Sequence, residues 1–361
     1  MKPATIRDVA ERADVSVASV SRVLNGAGPV TEATRMRVLE AVEALQYVPH
    51  SGARSLSTSR TNTIGVILPD LYGEYFSELI RGMDVAARAR GYHLIVSSSH
   101  DSADEASAAI RSMRGRVDGM IVLSPHVGAA NLASGLAGRT PILLMNGGAD
   151  VERPSIVIDN HGGAVAAVEH LVALGRTRIV HIAGPTGNLD AEARMAGYME
   201  AMARAGLPPR VVEGAFTKAS GHEAGESLAA AAERPDAVFA ANDNMAVGAM
   251  LALQDAGLRV PEDIAIVGFD DIPLVSLVRP ALTTLKINIA ETGKRALQRL
   301  VGSIESAGEV AAAACEVVRP ELVIRPSSVA ATTPANRYAR HRSLATAGEA
   351  ISKGEHPDDQ V

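Results

Sequence analysis

The chain has 361 residues, enough for two or three domains of ordinary size. Hydrophobic residues make up 47% and charged residues 21%, values typical of a globular protein, and no apolar run is long enough to suggest a membrane span. The N-terminus carries charges throughout and lacks the apolar stretch of a secretory signal, so we expect a cytoplasmic protein. The single cysteine, Cys315, excludes an intrachain disulfide and is interpreted as a small hydrophobic residue.

The net charge of −6 is unevenly distributed along the chain. The first 60 residues contain eight Lys/Arg and six Asp/Glu, so a small positive module precedes a larger negative one. An excess of two positive charges does not by itself indicate a polyanionic partner. Evidence for a nucleic-acid partner must therefore come from the geometry of the module.

Residues 1–47 are predicted to form three helices, because their apolar residues recur at spacings of three and four. Thr5, Ser16 and Thr31 are the predicted N-caps, and Asn25-Gly26 is predicted to end the second helix. The third helix is expected to run to about residue 46. The predicted inner faces are Ile6, Val9, Ala10 and Ala13, then Val17, Val20, Val23 and Leu24, then Val38, Leu39, Val42 and Leu45.

The first two predicted helices are joined by the tight turn "ADVS". The outer face of the second carries the short side chains of Ser16, Ala18, Ser19 and Ser21, together with Arg22. Such a face can approach DNA closely, since serine can bind phosphate oxygens and arginine can reach a base edge with two hydrogen bonds. The pattern indicates a helix-turn-helix whose second helix reads DNA. A helical hairpin with an ordinary polar face is the alternative.

Residues 48–61 are rich in Ser, Thr, Gly and Arg and are predicted to form a linker. From Asn62 onward, nine short β-branched runs alternate with amphipathic helices, which predicts parallel sheets with helices on both faces. The runs are "TIGVILP", "HLIVSSS", "GMIVLS", "PILLMN", "SIVIDN", "RIVHIAG", "VVEGAF", "AVFAAN" and "IAIVGF". The predicted fold class is therefore a small all-α domain followed by an α/β, doubly wound, two-lobed domain.

The α/β region, residues 62–326, is large for one doubly wound sheet. It is predicted to form two lobes, about residues 62–160 and 161–287, with 288–326 crossing back and a ligand cleft between the lobes. Residues 327–361 lose the pattern and are expected to be disordered.

Ligands of parallel sheets bind beyond the carboxyl ends of the strands. The residues at these positions suit a hydroxylated ligand, because polar groups bond hydroxyls and flat rings stack on sugar rings. Turn and cap roles are the alternative for any single residue. Phe269 is expected to pack beneath the sheet. The candidates are Asp70, Tyr75, Phe76, Ser124, Asn146, Asn188, Arg194, Phe216, Asn242 and Asp270, with Asp159 and Asp243 at further strand ends.

The stretch "TIRDVAERADVSVASVSRVLNG", followed by "VTEATRMRVLEAVEALQYVP", resembles the N-terminal signature of the LacI/GalR family of bacterial transcription regulators. The resemblance continues through "AANDNMAVGAM" and "IVGFDDIP" and covers about residues 2–326. It implies a homodimer on a palindromic operator. The implied DNA contacts are Ser16, Val17, Ala18, Ser21, Arg22 and Asn25 in the major groove, Thr5, Thr31 and Tyr47 on the backbone, and Ala53, Arg54 and Leu56 in a hinge helix.

Within these contacts, the resemblance implies that Val17 and Ala18 tune base preference, and Arg22 is the best candidate for guanine. Leu56 would enter the minor groove and bend the DNA. A flexible linker in which Leu56 only packs is the alternative. Gly52 departs from the expected hinge helix and would weaken it.

For the α/β region, the resemblance implies that Arg194 and Asp270 grip a small effector, with Asn242 and the rings after the first strand assisting. A sugar is favoured over a nucleobase, because Asn188 stands where an arginine gripping the base is expected. An inducer is favoured over a corepressor. No C-terminal tetramer is expected, since the tail lacks leucine heptads.

The sequence contains no GxGxxG after the first strand of either lobe, no GxxxxGK[ST], no HExxH and no GxSxG. Its ten histidines show no metal-ligand spacing, so no enzyme activity, metal or cofactor is expected. A sugar-binding protein without DNA activity is a further alternative. The helix-turn-helix and the missing signal sequence favour the regulator.

Overall fold

The computed structural model describes residues 4–26, 28–47, 60–124, 140–146, 153–306 and 315–329. These residues divide into two compact units. The first unit takes the described residues up to 160 together with 186–193 and 287–320, and the second takes 161–185, 194–286 and those from 321 onward. The predicted hinge residues Ala53, Arg54 and Leu56, the neighbouring Gly52 and the tail beyond 329 lie outside the described residues, as does the side chain of Asn25.

Three helices open the chain, as predicted: α1 (Ile6–Arg12), α2 (Val17–Asn25) and α3 (Glu32–Ala44). Thr5 and Asp8 form a capping box at the start of α1, with the Thr5 N–H donating to Asp8 Oδ2 at 2.7 Å. Ser16 and Thr31 accept backbone N–H bonds at the starts of α2 and α3. Gly26 ends α2 at a φ of +62°, a conformation that glycine adopts without strain. All of these predicted caps are confirmed.

The core of the three helices consists of Val9, Ala10, Ala13, Val20, Val38, Ala41 and Tyr47. Two of the predicted inward residues are instead exposed, Val17 at 42% and Leu39 at 43%. Helices this short bury only a narrow stripe. Val17 stands in the first turn of α2 and Leu39 one position beyond the buried Val38, so both lie outside that stripe.

The first unit contains a six-stranded sheet in the order β11-β5-β4-β3-β1-β2, and every described pair is parallel. The strands are β1 (Thr63–Leu68), β2 (His93–Ser98), β3 (Gly119–Leu123), β4 (Ile142–Met145), β5 (Ser155–Ile158) and β11 (Cys315–Val318). Its helices include α4 (Glu74–Ala89), α5 (Ala103–Met113) and α10 (Ile289–Glu305). Cys315 is exposed, because it begins an edge strand.

The second unit contains another six-stranded sheet, in the order β12-β10-β9-β8-β6-β7, parallel except for the antiparallel β12. Its strands are β6 (Ile179–Ile182), β7 (Arg210–Val212), β8 (Ala237–Ala240), β9 (Ala265–Asp270), β10 (Thr283–Lys286) and β12 (Glu321–Val323). The helices are α6 (Asn160–Ala173), α7 (Leu189–Arg204), α8 (Lys218–Ala230) and α9 (Asp243–Asp255), with a 3-10 turn at Pro273–Ser276. The first residues of α7, up to Ala193, and Asn160 of α6 belong to the first unit.

The predicted fold class is confirmed, and all nine predicted strands are present. Three observed strands, β10, β11 and β12, were not among the predicted ones. Of these, β11 and β12 are short edge strands that carry little hydrophobic pattern. In the part of the chain that the structure describes, no helix combines the length and the apolar character needed to cross a bilayer.

A buried histidine in the second unit predicts a pH-dependent stability. The His181 ring on β6 stacks between Tyr198 and Phe239, at centroid distances of 5.1 and 4.8 Å, and its Nδ1 lies 2.9 Å from the Phe239 carbonyl oxygen. Burial lowers the pKa of His181 to about 4. The unfolded chain therefore binds a proton between pH 6.5 and 4 that the folded chain does not.

The His181 contribution is fully present above pH 6.5 and is lost as the pH falls toward 4. Between pH 7 and pH 5, we expect the wild type to lose about 2 kcal/mol more unfolding free energy than His181→Leu. Urea unfolding of both proteins at the two pH values measures this difference, and equal pH dependence of the two would contradict it.

Candidate functional site

The outer face of α2 carries exposed Val17, Ala18 and Arg22, and a half-buried Ser21. Arg22 is the long side chain of this face and stands in the last turn of the helix. The Ser16 hydroxyl accepts the Ser19 N–H at 3.1 Å. The face is thus small and hydroxylated at one end and cationic at the other, which suits contact with a DNA groove.

Three residues predicted to touch the DNA backbone have other contacts inside the helical domain. Tyr47 is 9% exposed and belongs to the core of the three helices. The Thr5 hydroxyl donates to Asp8 Oδ2 at 2.8 Å, and the Thr31 hydroxyl lies 2.9 Å from that of Thr34. Thr5 and Thr31 fix the starts of their helices, so any DNA contact would add to these roles.

At the carboxyl end of β1, Asp70 is exposed and forms a turn with the chain that follows. Its Oδ1 accepts the N–H groups of Leu71 and Tyr72 at 2.6 and 3.1 Å. The rings of Tyr75 and Phe76, in the first turn of α4, are half-buried and meet edge to face at 5.2 Å. The structure thus places the Asp70 carboxylate and the two rings in the segment that follows β1, where the sequence analysis located these three candidates.

Three side chains of the first unit form a network at the ends of β4 and β5. Asp190 accepts the Nδ2 groups of Asn146 and Asn160, one at each carboxylate oxygen, both at 2.8 Å. Asn146 is 5% exposed, and its Oδ1 accepts no hydrogen bond from the described residues. The sequence reasoning selected Asn146 but missed Asn160 and Asp190, because an acidic residue in the first turn of a helix has an ordinary dipole role.

Two further predicted residues of the first unit are buried. Ser124 follows β3 and is 6% exposed. Asn188 is 4% exposed, and its Oδ1 accepts the N–H groups of Asp190 and Ala191, both at 3.0 Å. The Asn188 amide oxygen thus caps α7. The cap role that was the alternative for any strand-end residue is present here.

In the second unit, Arg194 is buried at the centre of a polar and aromatic cluster. Its Nη2 lies 3.6 Å from Asp270 Oδ1, and Nη1 donates to the Ala241 carbonyl oxygen. Its guanidinium carbon lies 3.8 Å from the centroid of Phe269 and 5.9 Å from that of Phe216. Phe269 is fully buried, as expected, and it also supports the arginine from one side.

Asn242 joins two elements near this cluster. Its Oδ1 accepts the Met245 N–H at 2.9 Å and caps α9, while its Nδ2 donates to the Phe216 carbonyl oxygen at 3.0 Å. Phe216 has a φ of +59°, an uncommon conformation for a bulky residue. The Asn242 amide helps to hold Phe216 in this conformation.

A second carboxyl group, outside the site residues selected from the sequence, lies near Asp270. Asp243 is fully buried, and its carboxyl group accepts hydrogen bonds from the Thr284 hydroxyl and the Ile272 N–H. Burial, followed by the nearby Asp270 carboxylate, raises the pKa of Asp243 well above its usual range. The sequence places Asp243 at a strand end, but its contacts with Ile272 and Thr284 lie 29 and 41 positions away and have no local pattern.

The second unit therefore brings together four of the predicted residues: Arg194, Phe216, Asn242 and Asp270. A buried guanidinium and a carboxylate supply donors and acceptors for hydroxyl groups, and the half-buried Phe216 supplies an apolar face. Among the residues that the structure describes, no group of three or more His, Cys, Asp or Glu could hold a metal ion. This arrangement suits binding of a small polar molecule.

Comparison with known proteins identifies the architecture. Residues 5–50 match the model of bacterial regulatory proteins of the lacI family, and residues 168–328 match a periplasmic binding protein-like domain. Catabolite control protein A of Priestia megaterium is 37% identical over 305 residues, which cover 82% of this chain and 91% of that protein.

Solved structures show the same similarity. The lac repressor dimer bound to operator and the anti-inducer ONPF is 31% identical with a TM-score of 0.82, over 91% of this chain and 100% of that one. The complex of the transcriptional regulator CelR with cellobiose is 31% identical with a TM-score of 0.66, over 90% and 100% of the two chains. These relatives are regulators and not enzymes, in agreement with the sequence prediction. The chain belongs to the lacI family of bacterial regulatory proteins and is a DNA-binding transcriptional repressor with an effector-binding domain.

Proposed function

We propose that this protein represses transcription as a homodimer on a palindromic operator, and that a sugar or sugar derivative bound by the Arg194–Asp270 cluster releases it from DNA. The observation that carries the effector part is the buried pair itself, with Nη2 of Arg194 3.6 Å from Oδ1 of Asp270 over the Phe269 ring. A guanidinium donates hydrogen bonds and a carboxylate accepts them, so the two groups together can bind the hydroxyl groups of a ligand while the Phe269 ring supports the arginine.

The DNA part of the proposal rests on the outer face of α2. Ser16, Ser21 and Arg22 are proposed to contact phosphates or base edges, and the exposed Val17 and Ala18 to set sequence preference by apolar contact, for instance with a thymine methyl group. The lac repressor structure, a dimer on its operator, has the same fold and supports the two-half-site arrangement. The same proposal includes three further sets of DNA contacts. Asn25 would contact the major groove, Thr5, Thr31 and Tyr47 would contact the DNA backbone, and Ala53, Arg54 and Leu56 would act in the hinge.

Arg22→Ala is expected to weaken operator binding selectively. Loss of a bidentate contact to a guanine lowers the affinity by about 1–3 kcal/mol and relaxes specificity at that base pair. Fluorescence anisotropy on the protein's own upstream DNA and on a scrambled duplex, at one fixed salt concentration, measures both affinities.

The matched control for this prediction is Arg37→Ala, which removes an equal charge from an exposed position on α3. It should reduce both affinities by a similar small factor. If Arg22→Ala lowers the two affinities equally, its contact is with phosphate and not with a base.

A sugar is favoured over a nucleobase because Asn188 stands where the family resemblance leads one to expect an arginine that grips the base. The Asn188 amide oxygen caps α7, and this residue offers no guanidinium to a base edge. The similar CelR structure contains cellobiose, which is the same chemical class.

A thermal-shift screen of the full chain tests the effector assignment. The panel contains cellobiose, glucose, galactose, ribose, glucose 6-phosphate, adenine and guanine. A compound that binds only the folded protein raises its midpoint, by an amount that grows with concentration above Kd. A shift with a sugar and none with the bases supports the proposal, whereas a shift with a base alone would replace it with a nucleobase corepressor.

The switch itself is tested on DNA with the compound that the screen finds. Allosteric coupling of about 1–3 kcal/mol changes affinity 5- to 150-fold. Operator affinity should fall by a factor in this range when the sugar is added. A rise in affinity would make the compound a corepressor.

A further inference from the structure

Asp270 is the last residue of β9, and the backbone from Asp270 into the following turn has an uncommon conformation. Asp270 has a φ of +116° and Asp271 a φ of +62°, and neither is a glycine. Such conformations persist only where surrounding contacts fix them. The contacts that fix this turn therefore determine where the Asp270 carboxylate lies.

The groups that fix the turn lie on both sides of it. On one side Asp271 pairs with Arg325, with Nη2 to Oδ1 at 2.7 Å. On the other side the Ile272 N–H donates to Asp243 Oδ2 at 2.9 Å. Before the turn, Asp270 is in register with Lys286 of β10. The Asp243 bond is thus the side-chain contact that fixes the backbone two residues after Asp270.

The Asp243 carboxyl group is itself closely confined. Its Oδ1 accepts the Thr284 hydroxyl at 2.5 Å, and its residue is fully buried at the start of α9. A Cβ atom at Gly268, on β9, would lie 2.3 Å from that same Oδ1, so only glycine leaves room for the carboxyl group against the strand. Gly268 on β9 and Thr284 on β10 thus fix the position of the Asp243 carboxyl group at the start of α9. This position lets the carboxyl group accept the Ile272 N–H of the turn.

We propose that Asp243 is a positioning residue for the effector-binding group: its carboxyl bond to the Ile272 N–H holds the turn that sets Asp270 against Arg194. This inference rests on the proposed function, in which Arg194 and Asp270 bind the effector. Asp243 acts through the backbone and does not touch the ligand. Burial raises the pKa of Asp243, and a carboxyl group keeps acceptor oxygens in both its ionised and its protonated form.

The first test measures hydrogen exchange of the Ile272 amide in the full-length protein by mass spectrometry, and it needs no effector. Asp243→Leu removes the acceptor, and Ile272 should exchange at least about tenfold faster, while Leu285 on β10 serves as the internal reference. Asp243→Asn keeps an acceptor oxygen toward Ile272 and a donor toward Thr284, so its rate should stay within about threefold of the wild type.

Two further variants complete the design. Asp255→Asn changes the exposed carboxylate at the other end of α9 and should leave Ile272 exchange unchanged. If Asp243→Leu does not fold, Asp243→Ser takes its place, because its short hydroxyl cannot reach Ile272. Unchanged Ile272 exchange in the acceptor-free variant, or equal acceleration in Asp243→Asn, would overturn the proposal, as would equal acceleration of Leu285.

The second test uses the panel sugar that raises the wild-type midpoint. Its Kd should rise at least about tenfold in Asp243→Leu and be restored in Asp243→Asn, with operator affinity unchanged in both. If no panel compound binds the wild type, the effector assignment fails, while the exchange result still decides whether Asp243 fixes the turn. An unchanged Kd in Asp243→Leu would contradict the positioning role.

Discussion

Gly82→Val is expected to destabilise the first unit by more than about 3 kcal/mol, beyond the usual range for an overpacked core. A Cβ atom at Gly82, in α4, would lie 1.8 Å from the carbonyl oxygen of Ala290, at the start of α10. A Cβ at Gly293, on α10, would likewise lie 2.3 Å from the Leu79 carbonyl oxygen of α4. The two helices touch through their backbones, so no side-chain rotation can relieve the clash.

Urea unfolding followed by far-UV circular dichroism measures the effect of Gly82→Val. The control is Gly302→Ala on α10, the helix that packs against α4, at a position where a Cβ would meet no atom within 4 Å. Alanine has the higher helix propensity, so the control should be unchanged or more stable by up to about 1 kcal/mol. If Gly82→Val unfolds at the same urea concentration as the wild type, α4 and α10 are not packed through their backbones.

Asp270→Ala is expected to leave operator binding intact and to abolish the response to effector. The variant removes the carboxylate that faces Arg194, and a hydrogen bond between a charged group and a ligand contributes about 1.5–3 kcal/mol. Arg194 retains its bond to the Ala241 carbonyl oxygen and its contact with Phe269, so the cluster should stay folded. Fluorescence anisotropy of labelled operator DNA gives the operator affinity of the variant. Addition of the panel sugar to the same complex then shows whether the sugar still releases the DNA.

The control for Asp270→Ala is Asp255→Ala, which also removes one carboxylate. Asp255 is exposed at the end of α9 and is not one of the residues that contact Arg194 or fix the turn after Asp270. Asp255→Ala should therefore keep both operator binding and the effector response. A normal response in Asp270→Ala would mean that the effector binds elsewhere.

Several features could be predicted from the sequence because local rules encode them. The caps at Thr5, Ser16 and Thr31 follow from side-chain geometry within four residues, and the end of α2 follows from glycine at a positive φ. Nine strands follow from short β-branched runs. Individual candidates such as Arg194 and Asp270 could be selected because parallel strands present their carboxyl ends to ligands.

Other features could not be predicted, because they depend on which distant segments meet. Asp190 bonds Asn146 and Asn160, which lie 44 and 30 positions away in the chain. Val17 and Leu39 match the helical spacing of buried residues but lie outside the narrow stripe that these short helices bury. Asn188 is a candidate ligand residue, and the structure adds that its amide oxygen caps a helix.

The sequence by itself determined the elements of this protein, three short helices followed by alternating strands and helices, because caps, turns and hydrophobic periods act over a few residues. Its function was indicated by the resemblance of the N-terminal motif to the LacI/GalR family. Only the tertiary structure decided how the polar residues are used. It placed Arg194 over Phe269 and beside Asp270. It also brought the Asp243 carboxyl group to the Ile272 N–H and the Thr284 hydroxyl, in the space that Gly268 leaves open. Hydrogen bonds and close packing between distant segments have no local pattern, so they are fixed only when the chain is folded.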